Sequence, residues 1–160
     1  MKLVRSLLPL LAAFTIYAQA QTNLPDIELQ TLEGESMLLS ETQGKFRVIN
    51  FWATWCPPCV KEMPALANLD AELEAINGEV IAINVGEELV QVEAFILENL
   101  EPAGLTLLLD SEGKSFPVFQ LSALPMTLVV SADNKILDYA MGGREWDAPD
   151  MVKAIKGLAE

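Results

Sequence analysis

The tract FWATWCPPCVKEMP, residues 51–64, holds the only two cysteines of the chain, Cys56 and Cys59, with Pro57 and Pro58 between them. Two thiols at this spacing can exchange disulfides, clip a metal ion or staple the fold. As a staple the pair is weak, because closing so small a loop removes little entropy from the unfolded chain. As a zinc clip it is short of ligands. Zinc commonly takes four, drawn from Cys, His and carboxylates, and the chain has no histidine and no further cysteine. Disulfide exchange asks least of the rest of the sequence. Cys56 falls where an apolar run gives way to a helical pattern. A helix N-terminus there offers free N–H groups and the positive dipole end, both favouring a thiolate. Cys59, one turn further in, lies on the same helical face, close enough to bond. Cys56 is then the exposed attacker and Cys59 the recessed resolving thiol. Neither proline has an N–H. The Cys56 sulfur can draw backbone hydrogen bonds only from Cys59, Val60 or beyond, which leans the couple toward the reducing side.

The elements that must hold this site follow from periodicity. KFRVINFWA (45–53) reads as a strand apolar enough to be buried. A helix is expected from about Pro57 to Ile76, with Leu66, Leu69, Leu73 and Ile76 on one face, a kink at Pro64 and an end at Asn77-Gly78. Upstream, residues 26–39 read as a hairpin turning at Glu33-Gly34-Glu35. Downstream come a buried strand over 79–85 and a helix over 87–100 with Leu89, Val92, Phe95, Ile96 and Leu100 inward. A strand over 105–109 and a short helical turn at SFPVFQL follow. Strands over 126–132 and 135–141 join at Asp133-Asn134. A final helix over about 148–158 carries an apolar stripe of Met151, Ile155 and Leu158. This order predicts one α/β domain with a mixed central sheet flanked by helices.

The chain ends and charge set the setting. Residues 1–20 carry Lys2 and Arg5, an apolar run LLPLLAAFTIYA and then Ala18-Gln19-Ala20, the pattern of a secretory signal peptide. The apolar run is short for a membrane span, so a cleaved leader (1–20) and a domain over 21–160 are expected, with an uncleaved membrane anchor as the alternative. Export places the thiols where disulfides persist. The 160-residue chain carries 10 basic and 23 acidic residues, a formal charge of −13. Loss of the leader leaves 8 basic residues against the same 23, or −15. Such a surface repels nucleic acid and anionic lipid headgroups. No nucleic acid, metal or cofactor is expected as a partner, and a monomer is.

FWATWCPPCVKEMP, the later LPMTLVV (124–130) and Gly142-Gly143 just after DYAM together resemble the thioredoxin superfamily, specifically its extracytoplasmic TlpA/ResA-like branch. The resemblance covers nearly all of residues 24–158. It implies a thioredoxin-like fold with an added N-terminal β-hairpin and a strand–helix insertion at INVGEELVQVEAFI, and dithiol–disulfide exchange with Cys56 as nucleophile. Pro125 matches the family's cis-proline beside the cysteines. Leu124, just before it, matches a specificity position. Read without the resemblance, Pro125 is an ordinary trans proline opening a strand.

Glu62 matches the active-site glutamate of ResA-like proteins. A partly buried carboxylate there can relay a proton as Cys59 ionises; the plainer reading is a first-turn glutamate favoured by the helix dipole. Glu87 matches a residue lining the same cavity. Asn50 stands where thioredoxin has a buried aspartate, so any relay must use Glu62 or water. Trp55 is expected to shield the sulfurs and, with Pro57 and Pro58, to give the substrate an apolar surface. Trp52 reads as core, and Trp146 as packing for the last helix. The expected activity is a periplasmic protein-disulfide reductant fed by a membrane thiol reductase, acting in cytochrome c maturation or on other exported thiols. A disulfide oxidant or isomerase, and a redox-inert binding module, are the alternatives.

Overall fold

A computed structural model describes residues 22–99 and 104–159. The leader (1–20), Gln21 and Leu100 lie outside the described residues. Seven strands form one sheet: β1 (Glu28–Thr31), β2 (Ser36–Leu38), β3 (Phe46–Trp52), β4 (Gly78–Val85), β5 (Thr106–Asp110), β6 (Met126–Val130) and β7 (Ile136–Met141). Their spatial order is β2-β1-β5-β4-β3-β6-β7. Pairings β3–β4 and β4–β5 are parallel, and the remainder antiparallel, so the sheet is mixed as expected. Among the described residues four helices accompany it: α1 (Pro57–Leu73), α2 (Leu89–Asn99), α3 (Ser115–Val118) and α4 (Pro149–Gly157).

β3 lies beside the central strand β4 and is buried at all seven positions. Its side chains alternate between two apolar layers. Phe46, Val48 and Trp52 join Cys59, Met63, Leu66, Leu69 and Leu73 of α1, together with Ile155 of α4. Ile49 and Phe51 point the other way, among Leu29, Leu39, Ile81, Ile83, Phe119 and Leu128. The α1 residues recur at three and four, so one stripe of the helix lies on the sheet. α1 opens on Pro57, tolerated there because a first-turn N–H has no helical partner. It continues through Pro64, whose missing N–H leaves the Val60 carbonyl without its usual donor. Asn77, at φ 54°, supplies the left-handed residue that turns the chain into β4.

The predicted helix over 57–76 is thus α1 followed by a short 3-10 turn at Glu74–Ile76. A second 3-10 turn, Leu39–Thr42, follows the hairpin and was not legible in the sequence. Leu158 departs from its predicted stripe: α4 stops at Gly157, and Leu158 stays 39% exposed while Ile155 is buried. The inserted α2 buries Val92 and Ile96. Its Phe95 ring lies 6.2 Å from that of Trp52, so the insertion covers the strand that leads to the cysteines.

Candidate active site

β3 ends at Trp52, and the chain turns through Ala53–Trp55 into α1. The Cys56 N–H donates to the Ala53 carbonyl (3.2 Å), which closes that turn and sets Cys56 as the N-cap of α1. Cys56 and Cys59 are joined by a disulfide, with Cα atoms 5.3 Å apart. Cys56 is 4% exposed and Cys59 fully buried, so the small opening to solvent is at Cys56. The Val60 N–H is taken by the Cys56 carbonyl at 3.1 Å. With Pro57 and Pro58 lacking N–H groups, Cys59 supplies the one early amide left to face the Cys56 sulfur.

The residues that sequence and resemblance singled out fall on the turn before α1, on its first turn and just before β6. Trp55 is 64% exposed, and Pro57 and Pro58 are exposed beside it. The register Phe51↔Met126 places Leu124 and Pro125 at the same sheet edge as the turn that carries Cys56. The Leu124–Pro125 bond is cis, Pro125 is buried and Leu124 half-buried. The Pro125 carbonyl accepts the Gly142 N–H at 2.9 Å, bringing the Gly142-Gly143 loop against α1. A Cβ at Gly143 would stand 3.4 Å from the Pro58 carbonyl oxygen and 3.5 Å from Glu62 Oε2, ordinary contact distances that show how closely the loop lies on α1.

Glu62 is 3% exposed, one turn beyond Cys59. Three donors hold it. Asn50 Nδ2 donates to Oε1 at 2.8 Å, while Trp146 Nε1 (2.8 Å) and the Arg144 N–H (3.0 Å) both donate to Oε2. Burial pushes its pKa above the ordinary carboxylate value. The Trp146, Arg144 and Asn50 hydrogen bonds and the Arg144 charge pull the other way without cancelling it. The carboxylate also lines a cleft of about 440 Å³, walled by Pro58, Lys61, Ala65, Gly143 and Arg144. Trp146 therefore does more than pack the last helix: it is 2% exposed and orients Glu62 through its indole N–H. Nothing in the local sequence pairs positions 62 and 146. The one hint was a polar-tipped aromatic expected to be buried, since such a tip needs a partner.

Glu87 lies elsewhere. It is 8% exposed and accepts from Asn84 Nδ2 (2.7 Å), the Thr54 N–H (2.7 Å) and the Thr54 hydroxyl. It does not line the Glu62 cleft; it ties the β4–α2 loop to the turn just before Cys56.

This geometry, two bonded thiols at a helix start beside a cis-proline, has close parallels. Residues 20–139 match the family model AhpC/TSA. The chain is 35% identical over 143 residues to the thiol-disulfide oxidoreductase ResA of Geobacillus thermodenitrificans, a match covering 81% of this chain and 80% of that one. Against the ResA of Bacillus subtilis it is 30% identical over 121 residues, covering 76% of this chain and 66% of the relative. The chain belongs to the AhpC/TSA family and, within it, to the ResA-like thiol–disulfide oxidoreductases.

Solved structures share the fold of this family member. The thioredoxin domain of a thiol-disulfide oxidoreductase from Bacteroides vulgatus superposes with a TM-score of 0.74 at 17% identity, covering 88% of this chain and 97% of that domain. A thiol:disulfide interchange protein of the thioredoxin family from Chlorobium tepidum gives 0.68 at 22% identity, covering 84% and 96%. In a ResA-like oxidoreductase the Cys56–Cys59 pair is the dithiol that carries the electrons, and the disulfide described here is its oxidised form.

Proposed function

We propose that this ResA-like oxidoreductase works outside the cytoplasm, in the periplasm, as a reductant of protein disulfides. In the reduced protein the Cys56 thiolate attacks a substrate disulfide. An S–S bond forms between Cys56 and one substrate sulfur, and the other substrate sulfur leaves as a thiolate. Cys59 loses its proton and attacks Cys56 Sγ, the second substrate sulfur leaves, and the enzyme is left as the Cys56–Cys59 disulfide. Two electrons have passed to the substrate, and a membrane thiol reductase must return them. Glu62 takes the Cys59 proton. Trp55, Pro57 and Pro58 give the substrate chain an apolar landing surface, and Leu124 with Pro125 sets its position beside the sulfurs. Cytochrome c maturation, which needs reduced cysteines before haem attachment, is one task that fits.

The observation that carries the direction is the scarcity of donors at Cys56. Two prolines lack N–H groups and the Val60 amide is spent on the Cys56 carbonyl. A thiolate with one early amide to face it is poorly stabilised, and a poorly stabilised reduced form makes a better reductant. Buried Glu62, when ionised, opposes the thiolate further. The periplasmic location rests on the basic, apolar and A-x-A pattern of residues 1–20.

Equilibrating the purified protein in thiol–disulfide buffers tests the direction. A potential near or below roughly −230 mV supports a reductant; one near roughly −120 mV marks an oxidant and overturns it. Trapping identifies the substrate class: Cys59→Ser should accumulate mixed disulfides through Cys56 in cells.

A further inference from the structure

The Asn50 side chain is fully buried and sits between two oxygens. Its Nδ2 donates to Glu62 Oε1 at 2.8 Å and to Thr127 Oγ1 at 2.9 Å. Its Oδ1 is buried and finds no hydrogen-bond partner among the described residues. A buried amide usually has both ends satisfied, and an orphaned acceptor costs about 1–3 kcal/mol. This orientation is the one an ionised glutamate requires, since a carboxylate only accepts.

The two oxygens of Glu62 are not equivalent. Oε2 already accepts from the Trp146 indole and the Arg144 backbone, two donors whose N–H directions are fixed by a ring and a peptide plane. Oε1 accepts from Asn50 alone. A proton arriving at Glu62 therefore settles on Oε1, where it meets the Asn50 amide head-on, donor against donor. Rotating the amide by half a turn resolves the clash. Oδ1 then accepts the Oε1–H, and the Thr127 hydroxyl, which can donate as well as accept, turns its hydrogen to Oδ1. Oδ1 gains both partners, and the amide N–H₂ takes over the unpartnered position.

We propose that Asn50 is a two-state positioning residue, presenting its amide N–H₂ to the glutamate and its amide oxygen to the glutamic acid at position 62, with Thr127 following the rotation. This rests on Glu62 being the group that takes the Cys59 proton. It gives asparagine a role at this position that aspartate could not fill: an aspartate would add a second buried negative charge and would lack the donor the ionised glutamate needs. The groups against Glu62 are Asn50 of β3 and Arg144 and Trp146 of the loop before α4; Lys61 of α1 and Glu145 line the same cleft, and Thr127 of β6 reaches Glu62 through Asn50. Glu87 faces Thr54 and Asn84 instead.

The test is an NMR titration of the full chain, oxidised and reduced, following the Glu62 carboxyl carbon and the Asn50 side-chain amide together. The expected result is one midpoint for both signals, with loss of the nuclear Overhauser contact between the Asn50 Nδ2 protons and Thr127 as Glu62 gains its proton. A Glu62 that titrates while Asn50 keeps that contact overturns the proposal. So does a Glu62 that stays ionised across the range in both redox forms. The exchange rate of Glu62→Gln separates the two layers. Should its pH profile match the wild type while the wild-type amide still follows Glu62, the relay reading falls and the amide switch stands; an amide that switches in the variant as well overturns the proposal.

Discussion

Two glutamates lie buried beneath the loops around Cys56, and they are built from nearly the same parts. Glu62 accepts from an asparagine on β3, a backbone N–H and an indole N–H. Glu87 accepts from an asparagine on the neighbouring strand β4, a backbone N–H and a hydroxyl. What differs is where the donors come from. Both donors from Thr54 reach Glu87 out of the turn that leads into Cys56, so that carboxylate acts as a brace for the backbone. The donors to Glu62 converge from β3 and the loop before α4, and the carboxylate lines an open cleft. The same chemical set makes a backbone brace in one place and, on the function proposed above, a proton site in the other, according to what each holds and what reaches it.

Breaking the brace should cost most. Glu87→Ala leaves the Thr54 N–H and the Asn84 amide without their acceptor. Each such buried group costs about 1–3 kcal/mol. Urea unfolding of the oxidised protein at neutral pH should show a loss of about 3 kcal/mol. A loss under about 0.5 kcal/mol, the range of an ordinary surface substitution, would mean that Glu87 braces nothing.

The pH dependence sharpens the distinction. Because the Glu62 pKa is raised in the folded protein, the folded state binds more protons than the unfolded chain between the ordinary carboxylate value and the raised one. Stability then falls as pH rises through that window, and the favourable contribution is fully present only below it. Glu62→Gln should remove this slope, whatever constant offset it adds. A wild type whose Glu62-dependent stability rises through the window would contradict the assignment.

Smaller effects follow. Trp146→Phe keeps the ring and deletes the indole donor, at a cost of about 1 kcal/mol. It should move the Glu62 midpoint upward, since that hydrogen bond holds the pKa down. A downward move would mean the indole favours the acid form. Trp55→Ala, at a site 64% exposed, should change stability by less than about 0.5 kcal/mol while raising KM for a protein disulfide. An unchanged KM would remove Trp55 from the substrate surface.

What the sequence disclosed and what it withheld divide along physical lines. The run of seven buried positions over Phe46–Trp52, the Leu66/Leu69/Leu73 stripe and the turn at Asn77-Gly78 are local patterns, and each element formed where its period placed it, the strands within a residue at their ends and α1 giving way to a 3-10 turn over its last three expected residues. The oxidised Cys56–Cys59 pair likewise needs only three residues of context. The polar layer beneath it does not announce itself. Glu62 reaches Trp146 across 84 positions and Asn50 reaches Thr127 across 77. Such contacts exist only once β3, β6 and the loop before α4 are assembled. Leu158 shows the opposite failure: a stripe extended one residue past the end of its helix. Glu87 was placed with Glu62 by resemblance, whereas its hydrogen bonds set it against Thr54 and Asn84.

Glu62 is proposed to handle the proton that Cys59 gives up. The direct measurement is the rate of exchange with a protein disulfide as a function of pH, for the wild type and Glu62→Gln. The wild type should show a limb set by a carboxyl titrating above the ordinary range. The variant should lose that limb and fall by about 10²-fold at the optimum, the scale of general acid–base catalysis. Superimposable profiles would show that Glu62 is only a well-made piece of the core.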